Sequence, residues 1–280
     1  MSTASLSLFV MLVPWVVRAL SPVRSTNGVP LPRVVHAVHH LPPSKKRVLI
    51  VGDIHGCLHE LLELLKAAEF DAREDELVLV GDLVNKGPMS AQVVGWARER
   101  GVLCVRGNHD DAALSALRRS GKWASRAPPP SYEYVHDLTA ADVAFLEQLP
   151  YTLALPDLGV LVVHAGVVPG RPLAEQHLQD LFKMRNVAPA TSAPDAPLVA
   201  CERDVDGSKP WASTYGGELG HVVFGHDAKR GLQRETFATG LDTGCCYGGM
   251  LTALILPQHR LISSPALRTY EQPGGGKGPH

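Results

Sequence analysis

Acidic residues are missing from the start of this sequence, where the first aspartate or glutamate is Asp53. The stretch before it carries only basic charges and one apolar run, Leu6 to Val17, which Pro14 interrupts. That run is shorter than the roughly 20 apolar residues of a membrane-spanning helix, and its basic residues follow it, whereas in a secretory signal they come first. Residues 1–44 are therefore predicted to be a leader and linker that is either disordered or a targeting segment.

Cysteine is also scarce. The five cysteines are an odd number without zinc-knuckle spacing, and the adjacent Cys245 and Cys246 cannot bridge each other without strain. Cys57 and Cys104 are interpreted as small core residues. A reducing compartment follows, so we expect a cytoplasmic protein. A mitochondrial or vacuolar location, or membrane association through Leu6–Val17, is the alternative.

An excess of charge is absent as well, since Lys and Arg total 27 against 28 for Asp and Glu. This balance gives no reason to expect binding to extended nucleic acid, although it does not exclude a small nucleotide. What the chain does contain is 45% hydrophobic residues over 280 positions, enough for one domain with a full core. We predict that domain at residues 45–265 and a disordered tail at residues 266–280.

Apolar runs alternate with segments of helical spacing, which predicts an α/β fold. The predicted strands are Arg47–Val51, Leu77–Val80, Val102–Val105, Leu161–Val163, Val222–Phe224 and Leu251–Leu256. The predicted helices are Leu58–Ala68, Ala91–Arg100, Asp111–Arg119 and a segment from Thr139 to Gln148 that opens like a capping box. Loops are predicted at Gly121–Tyr134 and at Asn186–Lys209, and the second is long enough to belong to a substrate site.

Five short motifs follow these apolar strands. They are Gly52-Asp53-Ile54-His55-Gly56, Gly81-Asp82-Leu83-Val84-Asn85-Lys86-Gly87, Arg106-Gly107-Asn108-His109-Asp110, Val163-His164-Ala165-Gly166 and Gly225-His226-Asp227. In open α/β sheets, ligands bind just beyond the carboxyl ends of the strands. The metal-ligand candidates in the motifs are Asp53, His55, Asp82, Asn108, His164 and His226. This donor set suits two adjacent divalent cations, with Asp82 as the natural bridge, and the cations can be Mn, Zn, Fe, Co or Mg.

Two cations about 4 Å apart bind phosphate oxygens, generate a bridging hydroxide for attack and stabilise the leaving oxygen, so a phosphoester or phosphoanhydride hydrolase is predicted. His109 is placed to protonate the leaving oxygen. Arg106 is predicted to grip phosphate as a bidentate fork, with Arg185 as a weaker second clamp and Lys86 as a further substrate-binding residue.

Each motif alone has an ordinary explanation. Gly and Asp favour turns, and a lone histidine in an apolar strand is more often a core residue than a ligand. The conjunction of five motifs in order is what indicates a metal site. The other histidines lack such a setting and are interpreted as non-ligands.

Together the motifs resemble the calcineurin-like metallophosphoesterase superfamily over residues 47–256. The resemblance is greatest to eukaryotic ApaH-like phosphatases, which are related to symmetrical diadenosine tetraphosphatase and to zinc-dependent endopolyphosphatase. Asn85 and Lys86 stand where protein Ser/Thr phosphatases usually carry Asp and Arg. The segments Leu241–Gly244 and Tyr247–Gly249 also match the ApaH-like pattern.

The resemblance implies a four-layer α/β/β/α sandwich in which the six candidates are the metal ligands and His109 is the proton donor. It also implies that Asn85 orients His109 by accepting from the imidazole N–H, while Asp110 or Asp227 supports its protonated form. The implied substrates are dinucleoside polyphosphates, mRNA caps or inorganic polyphosphate, which share phosphoanhydride bonds.

Two other functions are kept as alternatives. The first is a protein serine/threonine phosphatase, against which Asn85 and Lys86 argue. The second is a non-catalytic scaffold with the same fold, which usually requires lost ligands. For base recognition, the loop residues Tyr132, Tyr134 and Trp211 either stack a nucleobase or pack over the edge of the core, and packing is slightly favoured.

Overall fold

Two mixed β-sheets face each other in the computed structural model, which describes residues 24–120, 127–193 and 196–273. The strands are β1 His36–Val38, β2 Arg47–Val51, β3 Asp75–Leu79, β4 Leu103–Cys104, β5 Thr152–Leu155, β6 Val160–Val163, β7 Asn186–Pro189, β8 Leu198–Cys201, β9 Lys209–Pro210, β10 His221–Phe224, β11 Gln233–Arg234, β12 Ala238–Gly240, β13 Met250–Leu256 and β14 Arg260–Pro265. The α-helices are α1 Leu58–Ala67, α2 Ser90–Glu99, α3 Asn108–Ser120, α4 Ala140–Gln148, α5 Leu178–Lys183 and α6 Trp211–Thr214.

The first sheet has the order β14-β13-β2-β3-β4 and the second has the order β1-β5-β6-β10-β12-β11. Side chains alternate across β2, so Val48 and Ile50 pack between the sheets while Leu49 and Val51 face helices α1 to α4. On the far side of the second sheet, a separate apolar cluster around Trp211 joins α5 and α6 to β6 and β10. The predicted four-layer α/β/β/α sandwich is therefore confirmed.

Parallel pairing sends the motif-bearing strands in the same direction within each sheet. β2, β3 and β4 are parallel neighbours in the first sheet, and β6, β10 and β12 are parallel neighbours in the second. Because both faces of these strands are covered, they are continuous apolar runs without polar alternation. Their carboxyl ends carry all five motifs.

Residues 24–44 differ from the predicted linker, because they are built into the domain. Strand β1 pairs in parallel with β5, and the side chain of Val29 is fully buried in the core beneath the helices. Ser25 and Asn27 each donate a side-chain hydrogen bond of 2.8 Å to the buried carboxylate of Asp111. A strand of only three residues gives little periodicity, which is why its sequence pattern did not predict it. Residues 1–23, including the apolar run at 6–17, lie outside the described residues.

We expect a chain that begins at Lys45 to be markedly less stable than one that begins at Arg24. The shorter chain loses the buried Val29 side chain and two donors to a charged carboxylate, which together stabilise by at least about 3 kcal/mol. Urea unfolding of the two chains measures the difference. Equal midpoints and slopes would contradict the structural role of residues 24–44.

The segment predicted as a long loop at 186–209 also differs, because it contains a small antiparallel sheet of the order β8-β7-β9. Its strands are two to four residues long and include Pro189 and Pro210, so no alternation pattern was visible.

The start of the predicted tail is ordered too. The backbone N–H of Leu267 and the hydroxyl of Tyr270 both donate to Oε1 of Glu60. Residues 274–280 lie outside the described part of the chain.

Smaller features follow the sequence more closely. Thr139 and Asp142 form the predicted capping box at the start of α4. Residues 121–126 of the predicted loop lie outside the described ranges, whereas Pro130–Asp137 forms a 3-10 helix. All five cysteines are free thiols, and Cys57 and Cys104 are buried, as predicted for small core residues. Among the helices that the structure describes, none has the length and apolar character to span a membrane.

Candidate metal centre

The carboxyl ends of five strands bring the six candidate ligands together. Five of the ligands line one cavity, and the sixth, His164, is fully buried with a ring nitrogen within 4.8 Å of the ligand atoms of Asp82 and His226. Asp53 and His55 follow β2, Asp82 follows β3, and Asn108 begins α3 just after β4. His164 and His226 follow β6 and β10 of the facing sheet. Two groups of ligand atoms, each within 4.8 Å of one another, are formed by His55, Asp82 and His109 and by Asp82, His164 and His226.

Asp82 is common to both groups. Its Oδ2 lies 3.4 Å from Nε2 of His55, and its Oδ1 lies 3.4 Å from Nε2 of His164. Each oxygen therefore faces an imidazole from a different sheet. Asn108 completes the second group, since its Oδ1 lies 2.9 Å from Nε2 of His164. This geometry is what a carboxylate shared between two cations requires.

Backbone carbonyls fix which ring nitrogen of each histidine is available to a cation. Nδ1 of His55 lies 3.0 Å from the carbonyl oxygen of Val84, and Nδ1 of His164 lies 2.9 Å from that of Val80. For His226 it is Nε2 that contacts a carbonyl, at 3.0 Å from Lys183. Because a carbonyl oxygen accepts only from a protonated nitrogen, the opposite nitrogen is left as an acceptor for a metal. The candidate ligand atoms are thus Nε2 of His55 and Nδ1 of His226. Both ring nitrogens of His164 face an oxygen, the carbonyl of Val80 and Oδ1 of Asn108, so these contacts alone do not select its ligand atom.

Strained backbone is concentrated in the same motifs. His55, Asp82, Asn85, Lys86 and His226 all have positive φ angles, between 46° and 74°. Side chains other than glycine rarely adopt this conformation, and each instance costs about 1–3 kcal/mol unless the surroundings enforce it. The strain marks these turns as sites that are held for function.

Two glycines allow the ligand carboxylates to approach the backbone closely. A Cβ atom at Gly225 would collide with Oδ1 of Asp53, whose oxygens accept from the N–H of His226. A Cβ atom at Gly107 would collide with the side chain and backbone of Asp82. The glycines of these motifs are therefore needed for close contact with the ligands.

The electrostatics of the cavity fit divalent cations. Burial raises the pKa of Asp53, and the neighbouring carboxylate of Asp242 raises it further. Burial also raises the pKa of Asp82 to about 6. Burial lowers the pKa of His55, and the positive charge of the Lys86 ammonium lowers it further. Buried carboxylates that lie together repel each other unless a cation compensates their charge, and a neutral imidazole keeps a nitrogen lone pair that can bind the cation. The Lys86 ammonium already contacts Nε2 of His55 at 2.8 Å. Oxygen and nitrogen donors without thiolate suit Mn, Zn, Fe, Co or Mg.

His109 is held by Asn85, but in the opposite sense to the predicted one. The backbone N–H of Lys86 donates to Oδ1 of Asn85 at 2.8 Å, which turns the amide so that its NH2 group faces Nδ1 of His109 at 2.9 Å. The amide therefore donates to the ring. The predicted support from a carboxylate is also not present. Asp110 accepts from backbone N–H groups at Asp82, Leu83 and Gly107. Asp227 pairs with Arg230.

Arg106 is not brought to the cavity, which contradicts the predicted phosphate fork. Its side chain is completely buried, lies 3.3 Å from both the Asp111 carboxylate and the Tyr151 hydroxyl, and donates to the carbonyl oxygen of Glu147. The residue follows β4 and points back into the protein, so it positions α3 instead of contacting substrate.

A cavity of about 560 Å³ is lined by five of the six ligand candidates, by His109 and by several residues to which the sequence analysis gave no role. Lys86 and Arg185 line it, as predicted for substrate-binding residues. Lys229, Asp242 and Tyr247 line it too. The sequence contained a hint of all three. Lys229 follows the fifth motif by two residues, and Asp242 and Tyr247 lie in the two segments after β12 that match the ApaH-like pattern.

The predicted aromatic residues pack instead of lining the cavity. Trp211 is buried and its indole N–H donates to the carbonyl oxygen of Ala165 at 3.0 Å. Tyr132 and Tyr134 stack on each other with ring centroids 6.1 Å apart and pack on the core beneath the helices. The packing alternative therefore describes all three.

Facing sheets with two ligand clusters that share a carboxylate define a metal-dependent phosphohydrolase. The chain belongs to the calcineurin-like phosphoesterase family, whose sequence model matches residues 46–230. Members of this family use divalent metals, and the protein is an enzyme of this class.

Within this family, the chain is similar to proteins that are named as bis(5'-nucleosyl)- or diadenosine tetraphosphatases. A symmetrical bis(5'-nucleosyl)-tetraphosphatase of Methylobacillus flagellatus is 30% identical over 77% of this chain and 94% of its own length. The enzyme of the same name from Pectobacterium atrosepticum is 29% identical over 81% and 97%. A crystal structure assigned provisionally as a diadenosine tetraphosphatase has a TM-score of 0.73 and 40% identity, covering 82% of this chain and 98% of that one. A protein serine/threonine phosphatase of Saccharomyces cerevisiae shares only the fold, at 15% identity and a TM-score of 0.51.

Proposed function

We propose that this enzyme hydrolyses the phosphoanhydride bonds of dinucleoside polyphosphates. The observation that carries the proposal is the shared position of Asp82 between two ligand clusters in a cavity that also contains Lys86 and Arg185. The names of the most similar relatives support the choice of substrate. Inorganic polyphosphate and mRNA caps contain the same bond and are further candidates, and a cytoplasmic location is part of the same proposal.

Each side chain has a separate part in this mechanism. Two divalent ions, when bound, supply positive charge for the phosphate oxygens and lower the pKa of a water molecule. Lys86 and Arg185 bind and orient the phosphate chain through charge-assisted hydrogen bonds. His109 accepts from Asn85 at Nδ1, which leaves its Nε2–H to donate a hydrogen bond to the leaving oxygen and to stabilise the negative charge that develops there. A new P–O bond forms to the attacking oxygen, the bridging P–O bond of the anhydride breaks, and the leaving group is a nucleotide whose terminal phosphate keeps the bridging oxygen.

The two alternatives have less support. Protein phosphatases carry a carboxylate and a guanidinium where this chain has Asn85 and Lys86, and the serine/threonine phosphatase match is confined to the fold. A non-catalytic scaffold does not need six donors in register, and all six are present.

A substrate panel tests the proposal with the full chain loaded separately with Mn, Zn, Co and Mg. The panel holds diadenosine tetraphosphate, a cap analogue, long-chain polyphosphate and a phosphothreonine peptide. We expect diadenosine tetraphosphate to give the highest kcat/KM, with ADP as the product of symmetrical cleavage. A preference for the phosphothreonine peptide would replace this proposal with the protein-phosphatase reading.

We expect the Asn85→Asp variant to keep kcat within about tenfold of the wild-type value or to exceed it. The carboxylate has the shape of the amide and accepts from the imidazole, so the ring stays oriented. Asn85→Leu offers no such contact and is expected to lower kcat by more than about tenfold. Steady-state kinetics and the metal content of both variants measure this. A large loss in Asn85→Asp with its metals retained would contradict the orienting role of residue 85.

A further inference from the structure

Tyr247 lines the cavity of the metal centre and has no part in the mechanism above. Its ring is half-buried, because it packs on the core beneath the helix layer and also lines the cavity. Among the described residues that line the cavity, it is the one aromatic side chain besides the imidazoles. We propose that Tyr247 is the platform on which the nucleobase of a nucleoside polyphosphate stacks, a subsite that rests on the proposed function.

Lys86 connects this ring to the metal ligands. Its ammonium group lies 5.2 Å from the centroid of the Tyr247 ring and 2.8 Å from Nε2 of His55. The site thus runs from an aromatic ring through a cation to the metal ligands. A nucleoside polyphosphate runs likewise from its base through the sugar and the phosphates to the anhydride bond that reacts. A phosphate bound by Lys86 therefore places its own base beside Tyr247.

Beside His226 the cavity offers cations instead of an aromatic surface. Arg185 donates to the carbonyl oxygen of His226 at 3.1 Å, and Lys229 lines the cavity three residues after that histidine. These side chains suit the continuing phosphate chain. The base is thereby assigned to the side of His55 and the chain to the side of His226.

The turn that holds Tyr247 is fixed by backbone hydrogen bonds and by two glycines. Residues Cys245–Tyr247 form a single 3-10 turn between Gly244 and Gly248, whose φ angles are 70° and 88°. The backbone N–H of Tyr247 donates to Gly244 at 2.9 Å, and the backbone N–H of Tyr270 donates to Cys246 at 3.0 Å. A ring that is already ordered loses little conformational entropy when a base stacks on it.

The size and surface of the cavity also suit a nucleoside. Its volume of about 560 Å³ lies within the ~300–1,000 Å³ common for small-ligand sites. Around the Tyr247 turn Lys86 and Asp242 are charged, whereas Thr243, Gly249, Pro273 and the ring itself offer an uncharged surface. An inorganic phosphate chain gains nothing from such a surface, whereas any base has a face that stacks on an aromatic ring.

Equilibrium binding of ADP and pyrophosphate, measured by calorimetry on the full chain with Mn, tests the subsite. The two ligands share a diphosphate and differ by the nucleoside. We expect Tyr247→Ala to raise the Kd of ADP by about tenfold and to leave that of pyrophosphate unchanged. Tyr247→Phe keeps the ring and is expected to bind ADP like the wild type. The control is Phe237→Ala, which removes an aromatic side chain that is 42% exposed and outside the cavity lining.

Steady-state kinetics provide a second test. We expect Tyr247→Ala to raise KM for diadenosine tetraphosphate and to leave KM for tripolyphosphate unchanged. Equal weakening of ADP and pyrophosphate, or no weakening of ADP, would overturn the subsite. Failure of the proposed function has a different signature. An enzyme that hydrolyses no anhydride but loses ADP affinity in Tyr247→Ala keeps the subsite. If the enzyme hydrolyses anhydrides but Tyr247→Ala binds ADP like the wild type, the proposed function stands and the Tyr247 subsite is wrong.

Discussion

The Asp82→Asn variant is expected to lose at least about 100-fold in kcat and to bind fewer divalent ions. Loss of a residue that only supports a ligand already costs about 10–100-fold, and Asp82 is in contact with histidines of both clusters. The amide keeps the shape of the carboxylate but loses its charge, and only one of its two terminal atoms can accept. The substitution therefore weakens both sites at once, whereas replacement of His55 or His226 affects one.

Metal analysis and turnover of diadenosine tetraphosphate on the same sample measure this effect. The matched control is Asp206→Asn, an identical change at an exposed position outside the cavity lining, which should keep activity and metal content. The backbone N–H of His109, in the first turn of α3, donates to Oδ1 of Asp82 at 2.8 Å. Because the substitution can therefore also displace α3, thermal unfolding of the variant is measured as well. A folded variant with normal metal content and near-normal turnover would contradict the bridging role.

The second large effect is on stability, because Arg106→Met should lower the free energy of unfolding by about 3–5 kcal/mol. Methionine keeps the apolar stem but removes the charge that pairs with the buried Asp111 carboxylate. That carboxylate is left with neutral donors only, from Ser25, Asn27 and Tyr151. KM for a phosphoanhydride substrate should change little in the folded fraction, since Arg106 does not line the cavity.

Urea unfolding and steady-state kinetics of the same variant separate the two roles of Arg106. Arg260→Met, at an exposed position at the start of β14, is the control for the loss of a guanidinium and should be close to wild type in both. If Arg106→Met kept its stability but raised KM more than tenfold, the phosphate fork predicted from the motif would be correct and the buried ion pair would not matter.

The sequence motifs predicted which side chains the structure brings together, because the chemistry of a metal site restricts residue type and spacing together. Asp53 and His55 are two residues apart after an apolar strand, and any turn at Gly56 brings both toward the facing sheet. The parallel direction of β2, β3 and β4 then places Asp82 and Asn108 beside them. Such local rules need no knowledge of packing.

The errors arose where long-range packing decides the role of a side chain. Arg106 lies one residue before the Gly107–Asn108 motif, yet its partner Asp111 is fixed by Ser25 and Asn27, more than 80 residues earlier in the chain. A short strand such as β1 is defined by its pairing with β5 and not by its own pattern. Neither fact can be read from local sequence, and both concern the segment that was predicted to be a linker.

A titration of metal-free enzyme with Mn tests the central claim most directly, with bound ions per chain and turnover of diadenosine tetraphosphate measured at every step. The account predicts that turnover rises with the second ion, reaches its maximum when two are bound, and stays near zero in Asp82→Asn. Full turnover in the metal-free enzyme, or two bound ions with no hydrolysis of any phosphoanhydride, would contradict it.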